Sequence, residues 1–186
     1  MLEENRVNFS AYKNNEYYPG PKVKILIWTF INAFFFNNSF AVFNSLKLFI
    51  LKIFGAKIGA NVLIKQSVNI KYPWFLKIGN NVWIGEGVWI DNLTQVSIGN
   101  NVCISQGAML LCGNHDYKKK SFDLILGEIQ LDEGVWIGAK AIVCPGVKCH
   151  THSILTVGSI ASQNLDGFTI YHGNPAKPVR KRVIQE

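Results

Sequence analysis

Aliphatic side chains recur along this chain every six residues, at Ile58, Ile64 and Ile70, then Ile78, Ile84 and Ile90, then Ile98, Ile104 and Leu110. Two extra residues separate successive trios, so the motif Lys57-Ile58-Gly59-Ala60-Asn61-Val62 returns twenty residues later at Lys77 and again at Ser97. After a gap the beat resumes without insertions at Leu131, Ile137, Val143, Cys149, Leu155 and Ala161. Thirteen of these fifteen positions are Ile, Leu or Val, which together make up roughly a quarter of the chain, so the period is structural.

A period of six matches neither a helix nor an uninterrupted strand. It suits a short strand plus a tight turn, repeated three times to close a coil that buries its aliphatic residues. The fourth residue after most beats is small or β-branched, as at Val62, Val82, Ala108 and Ser159, with Trp74 the visible misfit. Gly59, Gly79, Gly85, Gly99 and Gly138 follow the beat directly, as expected if the backbone bends there. Stacked coils pair their strands in parallel and leave long edges only at the two ends.

Residues 1–56 precede the repeats and differ from them. Residues 23–36 and 46–54 are dense in bulky apolar side chains, are separated by Asn37-Asn38-Ser39, and are each too short to span a bilayer as a helix. Two readings follow: helices that cap the open end of the first coil, or peripheral membrane contact through residues 23–54, with Lys22, Lys24, Lys47 and Lys52 at the headgroups. The repeats occupy residues 57–171, with an inserted loop at 112–130, and residues 172–186 read as a basic tail.

The period, with Tyr72-Pro73-Trp74, the run Gly85–Asn92, Gly113-Asn114-His115-Asp116 and Gly173-Asn174-Pro175-Ala176-Lys177, resembles the hexapeptide-repeat acyltransferases, most of all the colanic acid biosynthesis acetyltransferase branch. The resemblance covers residues 57–182. It implies an all-β fold, a left-handed parallel β-helix with an N-terminal helical cap and an inserted loop. The hand comes from the resemblance alone, since parallel crossovers generally favour the right. The resemblance also implies an O-acetyltransferase that moves an acetyl group from acetyl-CoA to a hydroxyl of a sugar or exopolysaccharide precursor, free or lipid-linked, and a homotrimer with sites between subunits.

Chemistry is expected where the beat fails. Between Leu110 and Leu131 a polar, charged segment is inserted, and solenoid insertions often carry binding residues. His115 lies at its start, where resembling enzymes carry their catalytic histidine. An imidazole, which titrates near neutrality, can accept the proton of a sugar hydroxyl as that oxygen attacks a thioester. Its other nitrogen needs an acceptor, for which Asp116, a backbone carbonyl and a neighbouring chain are the alternatives. Asn114 and Asp116 are acceptor-site candidates, or a turn held by local side-chain bonds. Asp91 and Asn92, one rung earlier, are candidates for contact with acceptor hydroxyls, or part of an asparagine ladder. Trp89 is a candidate for stacking on a sugar ring, or for a subunit interface.

For the cofactor, the resemblance points to Trp136, Gly138, Ala139, Gly158 and Ser159 along the pantetheine arm. Lys177 and Arg180, with Lys181 and Arg182, offer charge to the phosphates of coenzyme A. One departure is Gln163, where the family often carries Lys or Arg, so that Arg180 must compensate.

Composition narrows the function classes. The formal charge is +7, which suits an anionic cofactor, and no recognised nucleic-acid motif accompanies it. The four cysteines form no Cys-x-x-Cys pair, as expected of free thiols, and the polar start through Glu3, Glu4, Asn5 and Arg6 does not resemble a secretory signal. A cytoplasmic enzyme, membrane-associated in the second reading of residues 23–54, is the expectation. His150 and His152, two apart, share a face in a strand-like register, and His172 lies some twenty residues on, which raises a γ-carbonic-anhydrase-like zinc protein as an alternative. That family's histidine spacing is absent, so no metal is expected. A serine or antibiotic acceptor is a further alternative.

Overall fold

The computed structural model describes residues 6–14 and 16–185. Glu3, Glu4 and Asn5, part of the polar start, lie outside the described residues. From Lys57 onward the chain winds into about six coils that stack three sheets of five, seven and five strands. The twenty-residue echo is one rung: Lys57 pairs with Lys77 and Lys77 with Ser97 in parallel register on the first sheet. The next partner of Ser97 is Gln130, so the insertion is looped out without disturbing the stack. Fourteen of the fifteen beat residues are buried in one column, Ile58 being half-buried.

Three corners per coil follow from local chemistry. At the first corner, between first and second sheets, one residue per rung takes φ between 50° and 68°: Asn61, Asn81, Asn101, Gly134, His152 and Phe168. Asparagine tolerates that left-handed region, and its amide also ladders. Asn61 Nδ2 donates to Asn81 Oδ1 at 3.0 Å, Asn81 to Asn101 at 3.1 Å, and Asn101 to Glu133 at 3.0 Å. The glycines just after each beat do not have positive φ, so they are not the bending residues expected. They are small because the next coil lies against them: a Cβ on Gly85 would sit 2.6 Å from Gln106 N, and one on Gly138 2.6 Å from Val157 N.

Two helices, α1 (Lys22–Phe35) and α2 (Asn44–Ile53), lie over the first coil and satisfy its open edge with side chains. Trp28 Nε1 donates to Ile70 O at 2.9 Å, while the Asn44 amide bonds both Val62 O and Ile64 N. Lys47 does not reach toward headgroups. It is buried, with Nζ donating to Ile64 O at 3.0 Å and Lys65 O at 2.6 Å, and burial lowers its pKa. Lys24 is likewise engaged, 4.3 Å over the ring of Trp74, whose Nε1 donates to Pro19 O. At the other end the segment read as a basic tail is a hairpin: Ala176–Lys181 pairs antiparallel with Thr169–Gly173 and extends the second sheet.

Candidate active site

The insertion leaves the third corner, between third and first sheets, as a two-stranded ribbon. Gly113–His115 pairs antiparallel with Leu124–Leu126, and Gly127 N closes its base on Cys112 O at 2.9 Å. Across the tip, Asp116 N bonds Asp123 O, and Lys119 pairs with Asp123 at 3.0 Å. Phe122 sits at φ 53°, which turns its carbonyl inward and lays its ring on the imidazole of His115, centroids 4.4 Å apart and planes 8° apart.

That carbonyl settles the histidine's orientation. His115 Nδ1 lies 2.8 Å from Phe122 O, and a carbonyl can only accept, so Nδ1 carries the hydrogen and Nε2 presents a lone pair. Of the three alternatives for the orienting acceptor, the backbone carbonyl is the one present. Asp116 Oδ1 instead accepts from Lys118 N, and Asn114 Oδ1 from His115 N, both local turn bonds.

Sequence reasoning missed the N-terminal arm. Asn8 N donates to Lys120 O at 2.9 Å, Phe9 packs edge-on against Phe122, and the Tyr12 ring lies 5.9 Å from that of His115. Tyr17 donates to Leu93 O at 2.7 Å. The aromatic density of the arm was its only local signal. Between arm and ribbon opens a cleft of about 580 Å³, lined among others by Lys13, Glu16, Tyr17, Lys119 and Asp123.

The remaining candidates separate. Asn92 is fully buried: its Oδ1 accepts from Tyr72 N at 3.0 Å and its Nδ2 donates to Tyr72 O at 2.6 Å, so it fastens a corner and is not free for acceptor. Asp91 lies beside it with Oδ1 buried and 3.6 Å from Lys71 Nζ. Burial and this carboxylate push the Tyr72 hydroxyl up, and burial first, then Tyr72 and Asp91, do so at Tyr17. Trp89 is outward on the third sheet beside Met109.

The expected cofactor residues lie elsewhere in the same chain. Trp136 is outward on the second sheet, its Nε1 donating to Ser105 Oγ, and Ala139 and Gly158 stack at the second corner through Gly158 N and Ala139 O. Ser159 is buried, accepting from Gly173 N at 3.0 Å, and Gly138 is buried by coil stacking, so neither offers a ligand surface. Gln163 is exposed at the third corner. Lys177 and Arg180 are exposed on the terminal strand, whereas Lys181 bonds Thr169 and Arg182 bonds Gly134 O. His115 is thus at the third corner, whereas Trp136 lies on the second sheet and Ala139 and Gly158 at the second corner. Among the described residues no three His, Cys, Asp or Glu side chains cluster as metal ligands; His150 faces Asp132 at 3.5 Å and His152 stacks on Phe168.

Against known proteins, the chain is 34% identical over 167 residues to the colanic acid biosynthesis acetyltransferase WcaF of Escherichia coli K12, covering 90% of this chain and 92% of that protein. It belongs to this family of hexapeptide-repeat acetyltransferases. No protein-family model matches the chain. In structure it is similar to the hexapeptide-repeat acetyltransferase VCA0836 of Vibrio cholerae, with TM-score 0.78 and 16% identity over 86% of this chain and 91% of that one. VCA0836 has also been solved with acetyl coenzyme A. A maltose O-acetyltransferase of Clostridium difficile 630 superposes with TM-score 0.75 and 18% identity, over 90% and 92% of the two chains. The fold is the left-handed parallel β-helix of these enzymes.

Proposed function

We propose that this protein transfers an acetyl group from acetyl-CoA to a hydroxyl of a sugar, as part of exopolysaccharide or capsule synthesis. The observation that carries the reading is the tethered imidazole: with Nδ1–H held by Phe122 O, the basic Nε2 of His115 is left without a hydrogen-bond partner among the described residues. In the reaction Nε2 takes the hydroxyl proton as the sugar oxygen bonds to the thioester carbon. The tetrahedral intermediate then expels the coenzyme A thiolate, which receives that proton from the imidazolium. The cleft between arm and ribbon, which His115 does not itself line, lies along the same ribbon, and its carboxylates and lysines can bond hydroxyls of an acceptor that extends from the imidazole.

The acetyl donor is supported by WcaF-family membership and by the coenzyme complex of VCA0836. The separation of His115 from the Trp136–Gly158 corner favours a trimer, in which one subunit's second corner meets its neighbour's ribbon and completes the site. The test is thiol release from acetyl-CoA across a panel of nucleotide sugars and lipid-linked oligosaccharides, with light scattering for subunit number. Acceptor-dependent release that collapses in His115→Ala is expected. Release that survives this substitution at near wild-type rate, or no sugar acceptor in the panel, overturns the reading.

A further inference from the structure

The cap is apolar on both of its faces, and only one of them is needed to close the coil. Trp28 and Asn32 of α1 and Lys47 and Leu51 of α2 turn inward. On the opposite side of α1, Val23, Leu26, Ile27, Phe30 and Phe34 form a helical stripe that is exposed along its whole length. Leu46, Phe49 and Ile53 do the same on α2, and between the helices Phe40 and Phe43 are 87% and 72% exposed. A groove of about 270 Å³ runs between Phe34, Phe40, Phe43 and Leu46. A continuous apolar surface of this kind marks a contact site.

Charge identifies what it contacts. From Tyr17 to Gly85 the chain has eight lysines and no Asp or Glu, and six of those lysines are exposed. Lys22 and Lys52 lie on the helices, and Lys57, Lys65, Lys71 and Lys77 on the first two coils beneath them. Bulky apolar side chains beside exposed cations, of which only Lys71 faces a carboxylate, Asp91 at 3.6 Å, are complementary to a bilayer surface carrying anionic headgroups. Among the described residues no helix is long and apolar enough to cross a membrane, and α1, with 14 residues, reaches about 21 Å along its axis, less than a hydrocarbon core.

We propose that the outer faces of α1 and α2 form a peripheral docking surface for a membrane leaflet rich in anionic phospholipid. Docking does not depend on the acetyl-transfer reading. Vesicle flotation of the full-length protein tests it, comparing phosphatidylcholine alone with a 7:3 mixture of phosphatidylcholine and phosphatidylglycerol. The protein is expected to float with the mixed vesicles at low salt, more weakly with the neutral ones, and to be released at 0.5 M salt. Phe30→Ser/Phe34→Ser and Phe40→Ser/Phe43→Ser change exposed positions only and should each reduce recovery at least tenfold. Lys22→Gln/Lys52→Gln should weaken binding by about tenfold or more, since each lysine near an anionic surface contributes about 1 kcal/mol. Failure to float, equal recovery with both lipid compositions, or flotation indifferent to all three variants overturns the proposal. So does sedimentation showing that the apolar face joins two copies, with an assembly that the phenylalanine variants dissociate and no binding to lipid.

Discussion

His115 Nδ1 and the carbonyl oxygen of Phe122 are 2.8 Å apart, and the same residue that supplies the oxygen also lays its ring against the imidazole. One residue thus fixes both the tautomer and the tilt of the ring, and Phe9 in turn braces Phe122 at a centroid distance of 5.3 Å. His115→Ala should lower kcat by about 10² to 10⁴-fold, the usual worth of a general base, with an unchanged melting temperature. Phe122→Ala keeps the carbonyl but frees the ring. Its kcat should fall about tenfold with KM for acetyl-CoA unchanged, in a steady-state thiol-release assay. A Phe122→Ala enzyme whose KM rises while kcat holds would place the ring in ligand binding instead.

Asn92 offers a clear separation of structural from binding roles. Its amide satisfies both backbone groups of Tyr72 inside the coil. Asn92→Ala should therefore cost about 2–4 kcal/mol in denaturant unfolding, because two buried backbone groups lose their partner. Turnover per folded molecule should stay within about twofold of wild type, a small barrier change. Normal stability with a raised KM for the acceptor would return Asn92 to the binding site.

Lys177 and Arg180 are the two exposed cations of the terminal strand whose side chains form no hydrogen bond or ion pair among the described residues. If they hold the phosphates of coenzyme A, Lys177→Ala/Arg180→Ala should raise KM for acetyl-CoA by about tenfold or more at unchanged kcat, since charge-assisted bonds contribute about 1.5–3 kcal/mol. The difference should shrink with added salt. Isothermal titration with coenzyme A measures the same loss without catalysis, and an unaltered affinity would exclude both residues.

The repeat was legible because its signal is local and redundant: fifteen beat positions each report the same buried column. The interruption at residues 112–130 was legible for the same reason, as a failure of the beat. What the period does not encode is contact between segments far apart in sequence. The pairing of His115 with Phe122 depends on one left-handed residue in an irregular tip, and the brace from Phe9 and Tyr12 on chain more than a hundred residues away. Gly138 and Ser159 have a packing reason for their size that the sequence does not display. Small residues that suggest room for a ligand are small here because the next coil or a neighbouring N–H fills the space.

Alkaline pH should loosen the solenoid, and the buried thiols explain why. Burial pushes Cys112 and Cys149 up to about 12 from an ordinary 9.0, and raises Tyr17, Tyr72 and Tyr171 above 10.0. Above pH 9 the unfolded chain releases protons that the folded chain retains, so the native state binds more protons and stability falls as pH rises toward 12. Lys47 acts in the opposite sense. Its folded pKa is lowered, so the unfolded chain holds that proton longer and stability gains as pH approaches 10.5, but this is one group against seven, since burial raises Cys103 and Cys144 as well. By pH 10.5 each thiol should have cost about 2 kcal/mol, or about 4–8 °C in melting temperature relative to pH 8. Thermal melts between pH 8 and 10.5 measure the slope. Cys149→Ala should melt lower at pH 8, because it leaves a cavity, yet lose less on going to pH 10.5; an unchanged slope would remove Cys149 from the explanation.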